Sequence, residues 1–269
     1  MKKAVVVLLT LTMVMSLFGC GNKAEAKGEA ERTQLIVGFD AEYPPYGYQD
    51  ENGEYVGFDL SLAQEVCDRN GWELVKQPIN WDSKDMELNS GSIDCIWNGF
   101  TMTGREEEYT WSDAYVNNSI MVVVAADSDI KSKEDLAGKV VATQSGSSAL
   151  TALTDDSEEN AENIALAASF SELQEIADYN TAFMNLEAGA IDAIAVDIGV
   201  AKYQLASREG IYRMLDDAIS TEQYGIGFKL GNTELRDAVM VTMNEMLADG
   251  TFAKIAEEWE LTNMVCLGE

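Results

Sequence analysis

Between Leu35 and Trp259 the apolar residues change period repeatedly, from short strand-like runs to helical stripes and back. This alternation limits the chain to layered α/β architectures. Leu35-Ile36-Val37-Gly38-Phe39 reads as a strand, closed by the breaker Pro44-Pro45 and a turn over residues 50–53. Leu60, Ala63, Val66 and Cys67 share one helical face that ends near Gly71, with Asp59 placed to cap it. Leu74 and Val75 predict a second strand, residues 86–89 a short helix, and residues 93–99 a third strand. The succession resumes with a strand over residues 121–124 and a short helix opened by Ser132 and Asp135 and stopped by Gly138. A strand over residues 140–143 then runs into Gln144-Ser145-Gly146-Ser147-Ser148 and a helix from about Ala149. Backbone N–H groups left free at that helix start would attract a carboxylate or another polar ligand group. Residues 156–163 read as an acidic surface loop or frayed helix end, followed by helices over 171–178 and 181–188. The strand Ala193-Ile194-Ala195-Val196 ends in Asp197, and a long stripe from Leu235 to Leu247, broken at Gly250, precedes a last helix from Thr251. The strands are expected to lie mainly parallel.

Composition excludes several functions. A chain of 269 residues with 46% apolar content can bury a sizeable core and is near the length at which domains divide. A formal charge of -29 leaves no positive block to neutralise phosphates, so neither nucleic acid nor an anionic membrane surface is expected as a partner. Histidine is absent and the four cysteines, Cys20, Cys67, Cys95 and Cys266, are scattered. Common zinc sites, haem attachment and histidine-based triads are therefore unavailable. With no calcium-loop, dinucleotide or phosphate-loop spacing either, no metal and no cofactor are expected.

Lys2 and Lys3 precede an apolar run, Ala4 to Phe18. As a helix it would rise about 22 Å, short of a hydrocarbon core of about 30 Å, which favours a secretion signal over a permanent span. Leu17-Phe18-Gly19-Cys20 resembles the lipobox of bacterial lipoproteins. That resemblance implies removal of residues 1–19, lipidation of Cys20 and a polar tether over residues 20–33. The lipid would be the sole membrane attachment, holding the folded part on the outer face of the cell membrane. Without Cys20 the cysteine count is odd, so Cys67 and Cys95 read as buried thiols, with a disulfide among the three left open.

Further elements fall in a recognisable order: Gly38-Phe39-Asp40, Tyr43-Pro44-Pro45-Tyr46, Gly57-Phe58-Asp59-Leu60 and Ser90-Gly91-Ser92-Ile93-Asp94. They continue with Gly99-Phe100-Thr101-Met102-Thr103, Trp111-Ser112-Asp113-Ala114-Tyr115, Asp135-Leu136-Ala137-Gly138 and Ala188-Gly189-Ala190-Ile191-Asp192. Across residues 34–262 the chain thereby resembles the polar amino-acid-binding components of bacterial ABC importers, the family 3 extracellular solute-binding lipoproteins. The resemblance implies a two-lobed α/β periplasmic-binding-protein-like fold with two crossing hinge strands. Lobe one would comprise residues 34–116 and 222–269 and lobe two residues 117–221, with crossings near 115–119 and 220–224. It also implies that one free amino acid binds between the lobes, and that an ABC permease and its ATPase, both separate chains, receive it. A monomer is expected.

A zwitterion leaving water needs a cation for its carboxylate and an anion for its ammonium. Arg105 is the expected carboxylate clamp, in a loop one residue shorter than the family pattern, because a guanidinium donates two parallel hydrogen bonds. Asp197, directly after four apolar strand residues, is the expected ammonium partner. The resemblance adds Gly99 and Thr101 as contacts from lobe one and Ser147, Ser148 and Gln144 from lobe two. Asp40, Tyr43, Trp81 and Asn98 match positions that read the ligand side chain. The family segment W-D-x-L-I-P-x-L appears here as Trp81-Asp82-Ser83-Lys84-Asp85-Met86-Glu87-Leu88, without the proline. An acid plus two aromatic faces suits a cationic amino acid, arginine, lysine or ornithine, with glutamine, histidine or cystine as alternatives. A ligand-sensing lipoprotein, or a lyase or dehydratase on the same fold, are the rival functions.

Overall fold

The computed structural model describes residues 32–269; the expected leader (1–19), Cys20 and the tether up to residue 31 lie outside the described residues. Two sheets organise the molecule. In the first, Glu73–Pro78, Gln34–Phe39, Cys95–Ile96, Gly227–Phe228 and Thr110–Trp111 lie in that order. In the second the order is Glu172–Ile176, Val140–Gln144, Ala193–Asp197, Val116–Ala125 and Tyr212–Met214. Glu42–Tyr43, Gly47–Gln49 and Tyr55–Val56 form a small third sheet in that order. Each large sheet anchors one lobe of a two-lobed α/β fold.

The chain passes between the lobes on two strands. Val116–Ala125 leaves the first lobe, and Ser220–Tyr224 returns antiparallel to it, with Ser220 opposite Ile120 and Tyr224 opposite Val116. Pairing is less parallel than the sequence suggests. The parallel part of each sheet is a trio, around Gln34–Phe39 in one lobe and Val140–Gln144 in the other. Strands fed by the crossings join antiparallel, because they re-enter from the opposite direction.

Both lobes bury the apolar faces that their periodicity announced. The helix Phe58–Asn70 buries Leu62, Ala63, Val66 and Cys67 and ends at Gly71 in a left-handed C-cap. In Thr233–Asp249, Val239, Met240, Met243 and Met246 are core, while Leu247 is exposed. Cys67, Cys95 and Cys266 are buried free thiols.

Several local expectations are corrected. Residues 172–176 form a strand, not a helix: parallel pairing with Val140–Gln144 takes up their backbone at the sheet edge and overrides the helix preference of Glu, Leu and Gln. Of the two readings for 156–163, surface loop or frayed helix end, the structure is nearer the second: a single turn, Glu158–Asn160, continues into a helix, Ala161–Ala167. The helix Ile198–Ser207 was not anticipated; it buries Gly199, Val200, Ala201 and Gln204. The strand expected over 93–99 is regular only at Cys95–Ile96, after which the chain turns into the cleft. Asp59 does not cap its helix. It is fully buried, with Oδ2 accepting from the Gly99 N–H at 2.6 Å and from the Tyr115 hydroxyl at 2.9 Å.

Candidate functional site

A small cavity of about 10 Å³ lies between the lobes. Tyr43, Trp81, Asn98, Gly99, Thr101 and Arg105 line it from the first lobe, and Gln144, Ser147, Ser148 and Asp197 from the second. The volume is room for about one water, against roughly 300–1,000 Å³ for small-molecule sites, so the lobes must part to admit an amino acid. Asp40 is the one expected site residue outside this lining; it stands behind the Gln144 amide, whose Nε2 donates to Asp40 Oδ2 at 2.6 Å.

Arg105 follows a tight turn in which Gly104 has φ 79, and its N–H donates to the Met102 carbonyl at 2.9 Å. This turn absorbs the missing loop residue. The guanidinium donates to the Thr101 carbonyl at 3.2 Å and lies over the Phe100 ring, 5.4 Å from its centroid. It forms no salt bridge among the described residues, so its outer N–H edge remains for an anion.

At the opposite pole Asp197 ends its strand just ahead of the helix Ile198–Ser207. Its Oδ1 accepts from the Tyr224 hydroxyl at 2.5 Å and from Asn118 Nδ2 at 2.6 Å. Burial pushes its carboxyl above the ordinary carboxylate range, against these bonds. Sequence reasoning missed Asn118, Tyr224 and Glu222 here. All three lie on the paired crossing strands, and only that pairing brings them together.

At the side-chain end Asp40 is buried, and burial raises its carboxyl despite bonds from Gln144 and from the Glu42 N–H. Asn98 Oδ1 accepts from the Asp40 N–H at 3.0 Å, which fixes that turn. Tyr43 stacks near Tyr46 and Tyr179, its hydroxyl 3.3 Å from that of Tyr224. Trp81 packs edge-on with Phe100. A fourth residue escaped the sequence reading. Lys84, standing where the family segment has leucine, is only 6% exposed. Its ammonium lies 5.3 Å from the Trp81 ring centroid and donates across the cleft to the Gly146 carbonyl at 3.3 Å. Burial and then the charge of Arg105 lower its pKa.

Two glycines make this arrangement possible. Gly99 has φ 55, and a Cβ there would come within 2.9 Å of the Tyr43 ring and 3.1 Å of the Tyr224 ring. Gly199 carries the approach of the lobes: a Cβ would stand 2.4 Å from the hydroxyl of fully buried Tyr46 in the first lobe. Alanine suits the helix itself, so Gly199→Ala should leave the ligand-free melting temperature within a few degrees while obstructing closure. A ligand affinity about tenfold weaker is expected in calorimetric titration; an unchanged affinity would show that Tyr46 yields without cost.

Comparison with known proteins gives the family and the fold. A family model described as bacterial extracellular solute-binding proteins, family 3, matches residues 35–262. The chain is 29% identical over 232 residues to the L-cystine-binding protein TcyJ of Escherichia coli, covering 85% of this chain and 83% of that protein. Among solved structures, Tv2483 bound to L-arginine superposes with TM-score 0.80 at 27% identity, covering 88% of this chain and 94% of that one. An ABC uptake transporter substrate-binding protein from Streptococcus pneumoniae with bound histidine gives TM-score 0.78 at 29% identity, with 84% and 92% covered.

Proposed function

The chain belongs to the bacterial extracellular solute-binding proteins of family 3, and from that premise we propose that it captures one polar, cationic L-amino acid of the arginine, lysine or ornithine type. It is an amino-acid-binding component of an ABC importer and not an enzyme. The observation that carries the proposal is that Arg105 and Asp197, supplied by opposite lobes, line one cavity. Arg105 and the N–H groups around Thr101 and Ser148 take the carboxylate. Asp197 takes the ammonium, with the Gly99 carbonyl beside it. Ligand meets the first lobe, and closure adds the bonds from the second; the closed fraction rises because only that state makes both sets. The closed receptor then delivers its ligand to the permease and ATPase. Lipidation of Cys20 would tether a monomer to the outer face of the cell membrane.

Asp40 supports a cationic side chain, held between Tyr43 and Trp81. Lys84 favours a second reading, because an ammonium already over the Trp81 ring opposes another cation on that wall. A neutral or doubly zwitterionic ligand, glutamine, histidine or cystine, would meet less repulsion. Asp40→Asn separates the two. If the ligand side chain is cationic, the substitution should weaken L-arginine binding about tenfold and L-glutamine binding by less than about twofold. Equal losses for both would sink the cationic assignment.

A further inference from the structure

Glu222 lies on the returning crossing strand, is only 8% exposed, and does not line the cavity. One of its oxygens, Oε1, is nevertheless where three segments meet. It accepts from the Thr101 hydroxyl of the first lobe at 2.6 Å, from Asn118 Nδ2 of the outgoing crossing strand at 2.8 Å, and from the Ser148 hydroxyl of the second lobe at 3.0 Å. Each hydroxyl has one proton, and both protons point at Glu222. Thr101 and Ser148 therefore turn oxygen lone pairs, not O–H groups, toward the cleft.

The same Asn118 Nδ2 also donates to Asp197 Oδ1, at 2.6 Å. A single amide nitrogen thus bridges two buried carboxylates. The other ionisable groups around Glu222 are the acids Tyr224 and Tyr46, while the nearby guanidinium of Arg105 is turned to the Thr101 carbonyl. No described salt bridge brings a cation to either carboxylate. Two negative charges so placed, without a counter-ion, cannot both be retained cheaply in the absence of ligand.

We propose that Glu222 is a positioning residue of the ammonium subsite, paired with Asp197 through Asn118, and that the empty pair holds a proton which the ligand's ammonium displaces. This rests on the reading of the cleft as an amino-acid site. Both carboxyls are raised by burial, and Glu222 reaches about 7 with the charge of Asp197 as the second cause. The sign follows. Below the raised pKa the pair is protonated in the free protein and ligand must displace a proton; above it the pair is fully ionised and affinity is flat.

The test uses the wild-type protein first, with L-arginine, L-histidine, L-glutamine and L-cystine each titrated calorimetrically. For whichever binds, heats at pH 6.5 in two buffers of different ionisation enthalpy should reveal release of roughly half a proton or more per ligand. Affinity should fall about tenfold from pH 8 to pH 6. In Glu222→Gln the pH dependence should shrink below about twofold, because the remaining Asp197 has lost its charged neighbour. A protein in which Glu222 only braces the fold would melt lower in that variant but keep the pH profile. Ligand binding with no proton release in the wild type would overturn the pairing alone. Failure of these four and of the remaining L-amino acids and ornithine to bind would overturn the amino-acid reading and the pairing with it.

Discussion

Arg105→Ala is expected to weaken amino-acid binding at least about 30-fold, about 2 kcal/mol, with little change in ligand-free stability. Among the described residues the guanidinium makes only one bond, to the Thr101 carbonyl, and packs on Phe100; its backbone carbonyl, which accepts from Trp111 Nε1 at 2.9 Å, survives the substitution. What is lost is the counter-charge for a carboxylate enclosed between the lobes. An enclosed carboxylate without one costs several kcal/mol, so the estimate is a lower bound. Lys84 is the nearby cation that could compensate, through the path from Trp81. If Arg105→Ala binds as tightly as the wild type, Arg105 is a surface arginine among Glu106, Glu107 and Glu108, and the carboxylate clamp is elsewhere.

Asp197→Asn is expected to have the larger effect, about 100-fold or more, measured by the same titration. The amide has nearly the shape of the carboxylate and its oxygen can still accept from Tyr224, so the cavity should keep its form. It has no charge to set against an ammonium. The ligand-free variant should melt at the same temperature or higher, because the wild type keeps this carboxylate buried against its preference for water. Loss of affinity together with unimpaired folding identifies Asp197 as a ligand group. Unimpaired affinity would make it a structural acid that orders Asn118 and Tyr224.

How far the sequence reveals this site depends on how each residue reaches it. Asp197 and the Ser147-Ser148 start are local signals, a strand end and a run of hydroxyls before a helix, whereas Arg105 and Gly99 were placed by the family resemblance. All four came together around one cavity. Asn118, Glu222 and Tyr224 meet the others only through the pairing of two strands some hundred residues apart, and no local pattern marks that pairing. Lys84 was hidden for a different reason. A lysine in an acidic segment reads as solvated, and only the approach of the Gly146 loop buries it. Asp59 was legible as a helix-start acid but misread, because its partners Gly99 and Tyr115 lie 40 and 56 residues along the chain. Burial raises that carboxyl to about 7 and leaves Oδ1 without a partner among the described residues. The strand Glu172–Ile176 shows the limit of propensity, where a free sheet edge decided against good helix formers.

The account turns on one free amino acid being held by both its charged ends between the lobes. Calorimetric titration of the wild type with the twenty L-amino acids, ornithine and cystine, followed by the α-amide and the des-amino acid of the tightest ligand, tests this most directly. The prediction is one molecule bound per chain for one amino acid or a small chemical group of them, with either analogue at least about 30-fold weaker. Binding that survives removal of the ligand's carboxylate or ammonium, or no amino acid binding at all, would contradict it.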